Sequence, residues 1–185
     1  MSNEILEIVN EKDEVIGTES REKIHQRGLL HREVHVWFIT PNREIIFQHR
    51  AKTKDTYPDL LDSTVGGHVG LGMSYEETAI KECKEETGVN LSKGDIITLK
   101  KIKMRAEDQT TGKINYAFKT EFIYLYKGKI EGLKTEKNQA QGFEAWSIKK
   151  LFHLSDEEKK RFIPGVLSHE FLELYKKMDK YCTDL

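Results

Sequence analysis

Short blocks of alternating apolar and polar residues open the chain and give way to a long helical period only after a glycine pair. Glu4 to Val9 and Glu14 to Ile16 flank the polar turn Asn10-Glu11-Lys12-Asp13, which predicts an N-terminal hairpin. Ser20 is placed to cap a short helix through His25, stopped at Gly28. His31 to Ile39 and Glu44 to His49 read as a second strand pair around Thr40-Pro41-Asn42-Arg43. A loop over Ala51 to Asp62 leads to Gly66-Gly67-His68-Val69-Gly70, and a helix follows. Ser74 and Glu77 form its capping box, Ala79, Ile80 and Cys83 an apolar stripe, and Gly88 its stop. Ile96 to Met104 and Ala117 to Tyr126 alternate as strands around Thr110-Thr111-Gly112-Lys113, with one more strand at Phe143 to Ile148. The tail is helical over Ser155 to Phe162 and, beyond Pro164-Gly165, over Ser168 to Lys180, where Phe171, Leu172, Leu174, Tyr175 and Met178 make an apolar face. A mixed sheet flanked by helices is the expected fold, an α/β or α+β sandwich in a single domain.

Composition narrows the classes of function. Lys plus Arg (30) nearly balances Asp plus Glu (31), so no global positive field exists to attract a nucleic acid polymer or an anionic membrane. Apolar runs such as Val34 to Ile39 fall far short of a membrane span. The N-terminal residues lack the pattern of a leader, and Cys83 and Cys182 form no metal or redox spacing, so a reduced cytoplasmic protein is expected.

Chemistry concentrates on the helix after the glycines. Glu82, Glu85 and Glu86 stand at i, i+3 and i+4 and share roughly one 100° sector of its surface. Like charges at that spacing repel, and a hard divalent cation, Mg²⁺ or Mn²⁺, is their natural partner. The plain alternative is a solvated acidic face offset by Lys81 and Lys84. Gly66 and Gly67 shift the balance toward a cation, because glycine lets backbone approach closely and brings a carbonyl, that of Gly66, within reach as a further ligand.

The run from Gly67 through Lys81-Glu82-Cys83-Lys84-Glu85-Glu86-Thr87-Gly88-Val89 resembles the Nudix box, G-x5-E-x7-R-E-U-x-E-E-x-G-U, with Met73 and Lys81 in place of its first glutamate and its arginine. Seven of nine specified positions agree over 23 residues, counting Cys83 as the bulky apolar position U. The resemblance implies a Nudix-type α/β/α sandwich with a mixed sheet, divided into an N-terminal hairpin extension (1–30), a core (31–152) and a helical tail (153–185). It also implies a MutT-like, Mg²⁺- or Mn²⁺-dependent pyrophosphohydrolase. Its catalytic and metal-binding residues would be Glu82, Glu85 and Glu86, with Gly66 as a backbone metal ligand. A small-molecule diphosphate, such as a nucleoside diphosphate derivative, is the expected partner, and a homodimer remains open. Glu107, Glu121, Glu136 and Glu144 are equal candidates for a further glutamate acting as base or ligand. Because methionine brings no charge to the helix start, the loop between Gly67 and the helix is expected to be held less firmly than in the family.

Outside the box, Glu4 to Val9, Val15-Ile16-Gly17, His25, Gly28 to Arg32, Gln48 to Ala51, Lys54 and Tyr57-Pro58 are similar to the branch nearest isopentenyl-diphosphate isomerase. That resemblance places Arg50 and Lys54 against the substrate's diphosphate. It also sets His25, His31 and His68 near the isomerase's metal-binding histidines, although the carboxylates that complete that site are missing. The isomerase itself is disfavoured. Its cysteine position holds Gly66, and its second acid falls among Asn115, Tyr116 and Ala117, so both proton-transfer groups are lacking. A module that binds a nucleotide or diphosphate without turning it over is the other alternative.

Overall fold

The computed structural model describes residues 4–54 and 56–183. The hairpin forms as β1 (Ile5–Val9) and β2 (Val15–Ser20), and α1 (Arg21–Arg27) ends at Gly28, whose φ of 61° suits the left-handed stop. Ser20 occupies the N-cap position of α1, but its hydroxyl makes no capping bond. A Cβ on Gly28 would fall 2.9 Å from Ile114 Cγ2, so this glycine also lets α1 lie close to the sheet.

β3 (His31–Ile39) is the central strand of a seven-stranded mixed sheet. One edge pairs in parallel with β8 (Ile114–Leu125) along its whole length, from His31 opposite Ala117 to Ile39 opposite Leu125. β7 (Ile97–Glu107) runs antiparallel beyond β8. The other edge of β3 is shared: β6 (Val65–His68) pairs over Glu33 to Val36, and β4 (Glu44–Arg50) over Phe38 and Ile39. β4 pairs in turn with the short β5 (Leu61–Asp62) and with β9 (Ala140–Ser147). The parallel β3–β8 pairing joins segments about eighty residues apart, and no local pattern announces it.

Being central, β3 buries both faces. Val34, Val36 and Phe38 pack with Val65, Phe122 and the stripe Ala79 and Cys83 of α2 (Tyr75–Thr87). Trp37 and Ile39 face the other way, onto Phe47 and the C-terminal α5 (His169–Thr183). The two helices thus lie on opposite faces, the expected α/β/α arrangement. The tail is less helical than its pattern suggests. Residues Ile148–Leu151 form a one-turn α3, the predicted helix over Ser155 to Phe162 contracts to α4 (Asp156–Lys159), and Pro164–Leu167 makes a 3₁₀ turn. Short segments such as these are marginal helices unless packing supports them, and here Phe162 instead drops into the core against Phe47, ring centroids 5.1 Å apart.

Trp37 anchors α5 through two rings, its own centroid lying 5.6 Å from that of Phe171 and 5.4 Å from that of Tyr175. Phe171→Ala is expected to cost about 3–5 kcal/mol of unfolding free energy by urea titration, because the fully packed site cannot refill with water or side chain.

Candidate active site

α2 forms as the capping box requires: the Ser74 hydroxyl accepts from the Glu77 N–H, the Glu77 carboxylate accepts from Ser74 N–H, and Gly88 closes the helix at φ 73°. Its three glutamates do not share one environment. Glu86 belongs with Ala79 and Cys83 on the buried side of α2, and its Oε2 accepts from the Gln48 amide at 3.0 Å and the Gly66 N–H at 3.3 Å. Burial, reinforced by the charge of Glu82, pushes its carboxyl up to about 8. Glu82 is largely buried too, and burial likewise raises it. Glu85 stands half exposed.

Strand alternation sets the glycine pair between these acids and the far face of the sheet. A Cβ on Gly67 would lie 2.7 Å from the Glu82 Cδ, whereas one on Gly66 would point the other way, 3.2 Å from the His35 ring. Only a residue without a side chain fits at Gly67 while Glu82 keeps its place. Lys81, at the position of the motif's arginine, places Nζ 2.9 Å from both Glu82 and Glu85 and so balances the acidic face directly. Two mostly buried carboxylates one turn apart, with a glycine backbone alongside, are the donor set of an oxygen-preferring divalent cation, and these residues fit one.

Among the four further glutamates, Glu136, exposed on the loop before β9, is the one whose charge bears on Glu82. Glu121 is fully buried and accepts from the Trp37 indole at 2.6 Å, and Glu144 is paired with Arg161. Glu107 lies exposed at the end of β7. Arg50 is committed to its own loop, donating to the carbonyls of Thr56 and Tyr57 and to Asp62 at 3.0 Å. Lys54 bonds Gln139 on the loop that carries Glu136, and its charge favours ionised Glu86.

On the far face, His25, His31 and His68 converge, their ligating atoms all within 4.8 Å of one another. Nδ1 of His25 faces the Ile114 carbonyl at 3.2 Å and Nδ1 of His31 the Leu29 carbonyl at 3.0 Å, which leaves Nε2 on each free to ligate. Burial holds His25 and His68 below the ordinary histidine range. The carboxylates of the isomerase's site are missing, but a different acid, Glu33, borders two of the three histidines. Two residues after His31 and so on the same face of β3, it brings Oε1 to 3.5 Å from His31 Nε2 and 3.4 Å from His68 Nε2. Burial opposes its charge, yet Lys119, at 2.9 Å, and the histidines hold its carboxyl well below the usual range. Beside it, the His35 ring lies 3.2 Å from the Glu121 carboxylate.

The loop before α2, where Met73 replaces the motif's glutamate, is tied to the N-terminal hairpin. Glu7 of the hairpin accepts from the Gly72 N–H at 3.1 Å, and Met73 packs as an apolar side chain against the α2 core.

A family model for the NUDIX domain matches residues 29–166. The chain belongs to the Nudix hydrolase family. It is 31% identical to an uncharacterized Nudix hydrolase of Clostridium acetobutylicum over 93% of this chain and 82% of that one. Several other Nudix hydrolases, including one of Streptomyces coelicolor, match over about half of both lengths. Among solved structures, the Nudix chain superposes on DR0079 of Deinococcus radiodurans with a TM-score of 0.68, 23% identity and coverage of 94% and 98%. It also superposes on the NUDIX domain of Shewanella oneidensis NrtR, complexed with ADP ribose, at a TM-score of 0.56 and 13% identity, covering 82% and 86%. These likenesses show the Nudix fold, and they do not extend to kinship with the isomerase branch.

Two outcomes follow from the geometry of this Nudix site. Gly67→Ala should push Glu82 off its position and weaken Mn²⁺ binding, read by electron paramagnetic resonance, about tenfold, while Gly66→Ala, whose methyl meets a ring edge that can shift, should cost less. In the metal-free protein, Glu86 binds its proton more tightly folded than unfolded. Its contribution to stability is therefore full below about pH 4.5 and is lost as pH rises toward about 8. Thermal melts across that range should show a decline that Glu86→Gln abolishes.

Proposed function

We propose that this Nudix protein is a Mg²⁺- or Mn²⁺-dependent pyrophosphohydrolase acting on a nucleoside diphosphate derivative. The observation that carries the proposal is the pair Glu82 and Glu86, two acids removed from most of the water and facing the same glycine backbone. Such a pair is costly unless a cation occupies it. ADP ribose bound by the NrtR domain supports the substrate class by analogy of fold.

In this reading Glu82 and Glu86 are the principal ligands, Glu85 the third, and the Gly66 carbonyl a backbone ligand. A divalent cation bound there supplies charge neutralisation for the phosphates and a water of lowered pKa. Gln48 holds the Glu86 carboxylate in orientation, and Lys81, which bonds both Glu82 and Glu85, would keep its bond to Glu85 when a cation takes Glu82. Glu136 is the side chain proposed to take the proton of the attacking water at its carboxylate, since its exposed loop lies within electrostatic range of Glu82. Arg50 shapes the 51–62 loop, and Lys54 lends positive charge beside Glu86. The isomerase alternative has no support here, because Gly66 offers no proton donor and Asn115 spends its amide on Glu33.

The donor set of His25, His31, His68 and Glu33 suits a second, more nitrogen-preferring cation on the opposite face. Turnover of a panel of nucleoside diphosphate derivatives and isoprenoid diphosphates, scored by product with Mg²⁺ and with chelator, tests the proposal. Glu82→Gln and Glu86→Gln should each lower turnover at least about tenfold, or about 1.4 kcal/mol of transition-state stabilisation, while the fold survives. Ligand-induced thermal stabilisation without product would favour a binding module instead. Undiminished turnover in both folded variants would remove the metal-site assignment.

A further inference from the structure

The run from Gly66 to Tyr75 carries the backbone beside Glu82 and Glu86 and delivers the chain into α2, and its own sequence does little to order it. Gly66, Gly67, Gly70 and Gly72 lie within it, with Gly72 at φ 70°, and glycine has the most backbone freedom to lose. Met73 contributes a turn bond from its N–H to the Gly70 carbonyl at 3.0 Å and an apolar side chain, but no charge.

Pairing with β3 holds Gly66 and Gly67, and the stretch beyond them, up to the helix start, is held from the N-terminal hairpin. Glu7 on β1 accepts from the Gly72 N–H at 3.1 Å. Asp13, at the hairpin turn with φ 63°, accepts from the Tyr75 hydroxyl through both oxygens, at 3.0 and 3.1 Å. Arg32 ties these together. Its guanidinium donates to Glu7 at 3.2 Å, to the Asp13 carboxylate at 2.6 Å and to the Asp13 carbonyl, while its own carbonyl accepts from the Val69 N–H at 3.0 Å. Lys101 of β7 adds a bond to Asp13 from the side. The hairpin is itself anchored, with Leu6 and Val9 buried and the Val9 N–H bonded to the Leu30 carbonyl at 2.9 Å. Glu7 and Asp13 are each only 14% exposed, so their bonds to Arg32 and Tyr75 are partly sheltered from water, while the Gly72 N–H that Glu7 accepts from lies at the surface.

We propose that the N-terminal hairpin is the brace of the glycine-rich loop, with Glu7 as its positioning residue and Asp13 as its second contact. The brace fixes Gly72 and Tyr75, and through them the start of α2, the helix that carries Glu82 and Glu86 against the β6 glycines. Glu7 touches neither substrate nor cation in this account and acts through the loop. The inference rests on the reading of Glu82 and Glu86 as a cation site, so its test keeps one readout that needs no cation.

The test uses the full chain and the variants Glu7→Ala, Glu7→Gln and Tyr75→Phe, with amide hydrogen exchange in the absence of metal and Mn²⁺ affinity by electron paramagnetic resonance. Loss of a bond to a charged acceptor in Glu7→Ala should speed exchange at Gly72 and weaken Mn²⁺ binding, each about tenfold, with β3 amides unchanged. Glu7→Gln, whose amide oxygen still accepts from Gly72, should rescue both to within about twofold. Tyr75→Phe should shift both in the same direction by a smaller factor, and it carries the test should Glu7→Ala fail to fold. Unchanged Gly72 exchange in Glu7→Ala, or faster exchange with Mn²⁺ affinity intact, would overturn the brace, the second result making Glu7 a staple of the hairpin alone. A wild-type chain that binds no Mn²⁺ at Glu82 and Glu86 would defeat the cation reading, and Gly72 exchange would then still decide whether the brace exists.

Discussion

A carboxylate taken out of water between a helix and a strand costs several kcal/mol unless partners replace its hydration, and Glu86 has the Gln48 amide and the Gly66 N–H for that purpose. Both partners depend on distant parts of the sheet: Gln48 on β4 and Gly66 on β6 flank the two halves of the same edge of β3. The helix stripe Ala79 and Cys83 packs against Val34, Val36 and Phe38 and so fixes the depth at which Glu86 sits. Core packing and the acidic site are therefore one structure. Moving α2 by a fraction of a turn would expose Cys83 and take Glu86 away from both of its donors.

The glycine pair divides two polar regions that would otherwise repel or quench one another. Toward α2 lie Glu82, Glu85 and Glu86 with Lys81 among them. Toward the other face lie the three histidines, Glu33, Lys119, His35 and Glu121. On that face Lys119 lies 2.9 Å from Glu33 and His35 3.2 Å from Glu121, while Nε2 of His31, Nδ1 of His35 and one Glu121 oxygen are buried without a hydrogen bond. Such a row is expensive to bury for stability alone and is the sort of preorganised polar surface that ligands use.

The first thirty residues serve more than one part of this arrangement. The hairpin turn reaches the start of α2 through Asp13, and α1 carries His25 to within 3.2 Å of the His68 ring nitrogen. Both contacts converge on the segment between Gly66 and Tyr75, one at each end. An extension that looks peripheral in sequence is thus joined to the centre of the Nudix domain by hydrogen bonds that cross some sixty residues of chain.

What the sequence determined by itself was local. The capping box at Ser74 and Glu77, the stop at Gly88, the hairpin around Asn10 to Asp13 and the spacing of Glu82, Glu85 and Glu86 are all written within a few residues, because their hydrogen bonds and periodicities close over a few residues. The motif's spacing likewise carried the family. Tertiary structure alone decided which of three glutamates is buried, because that depends on how α2 rolls against β3. It also decided that Glu33 lies beside His31 and His68 and that Arg50 turns inward to its own loop. It supplied Glu7 to a loop whose own Met73 carries no charge. The burial of Glu86, the place of Glu33 and the bond from Gly72 to Glu7 all depend on sheet pairing, helix packing or hairpin docking, contacts between segments far apart in the chain whose free energy comes from burial shared by both partners, and a window of sequence contains only one of them.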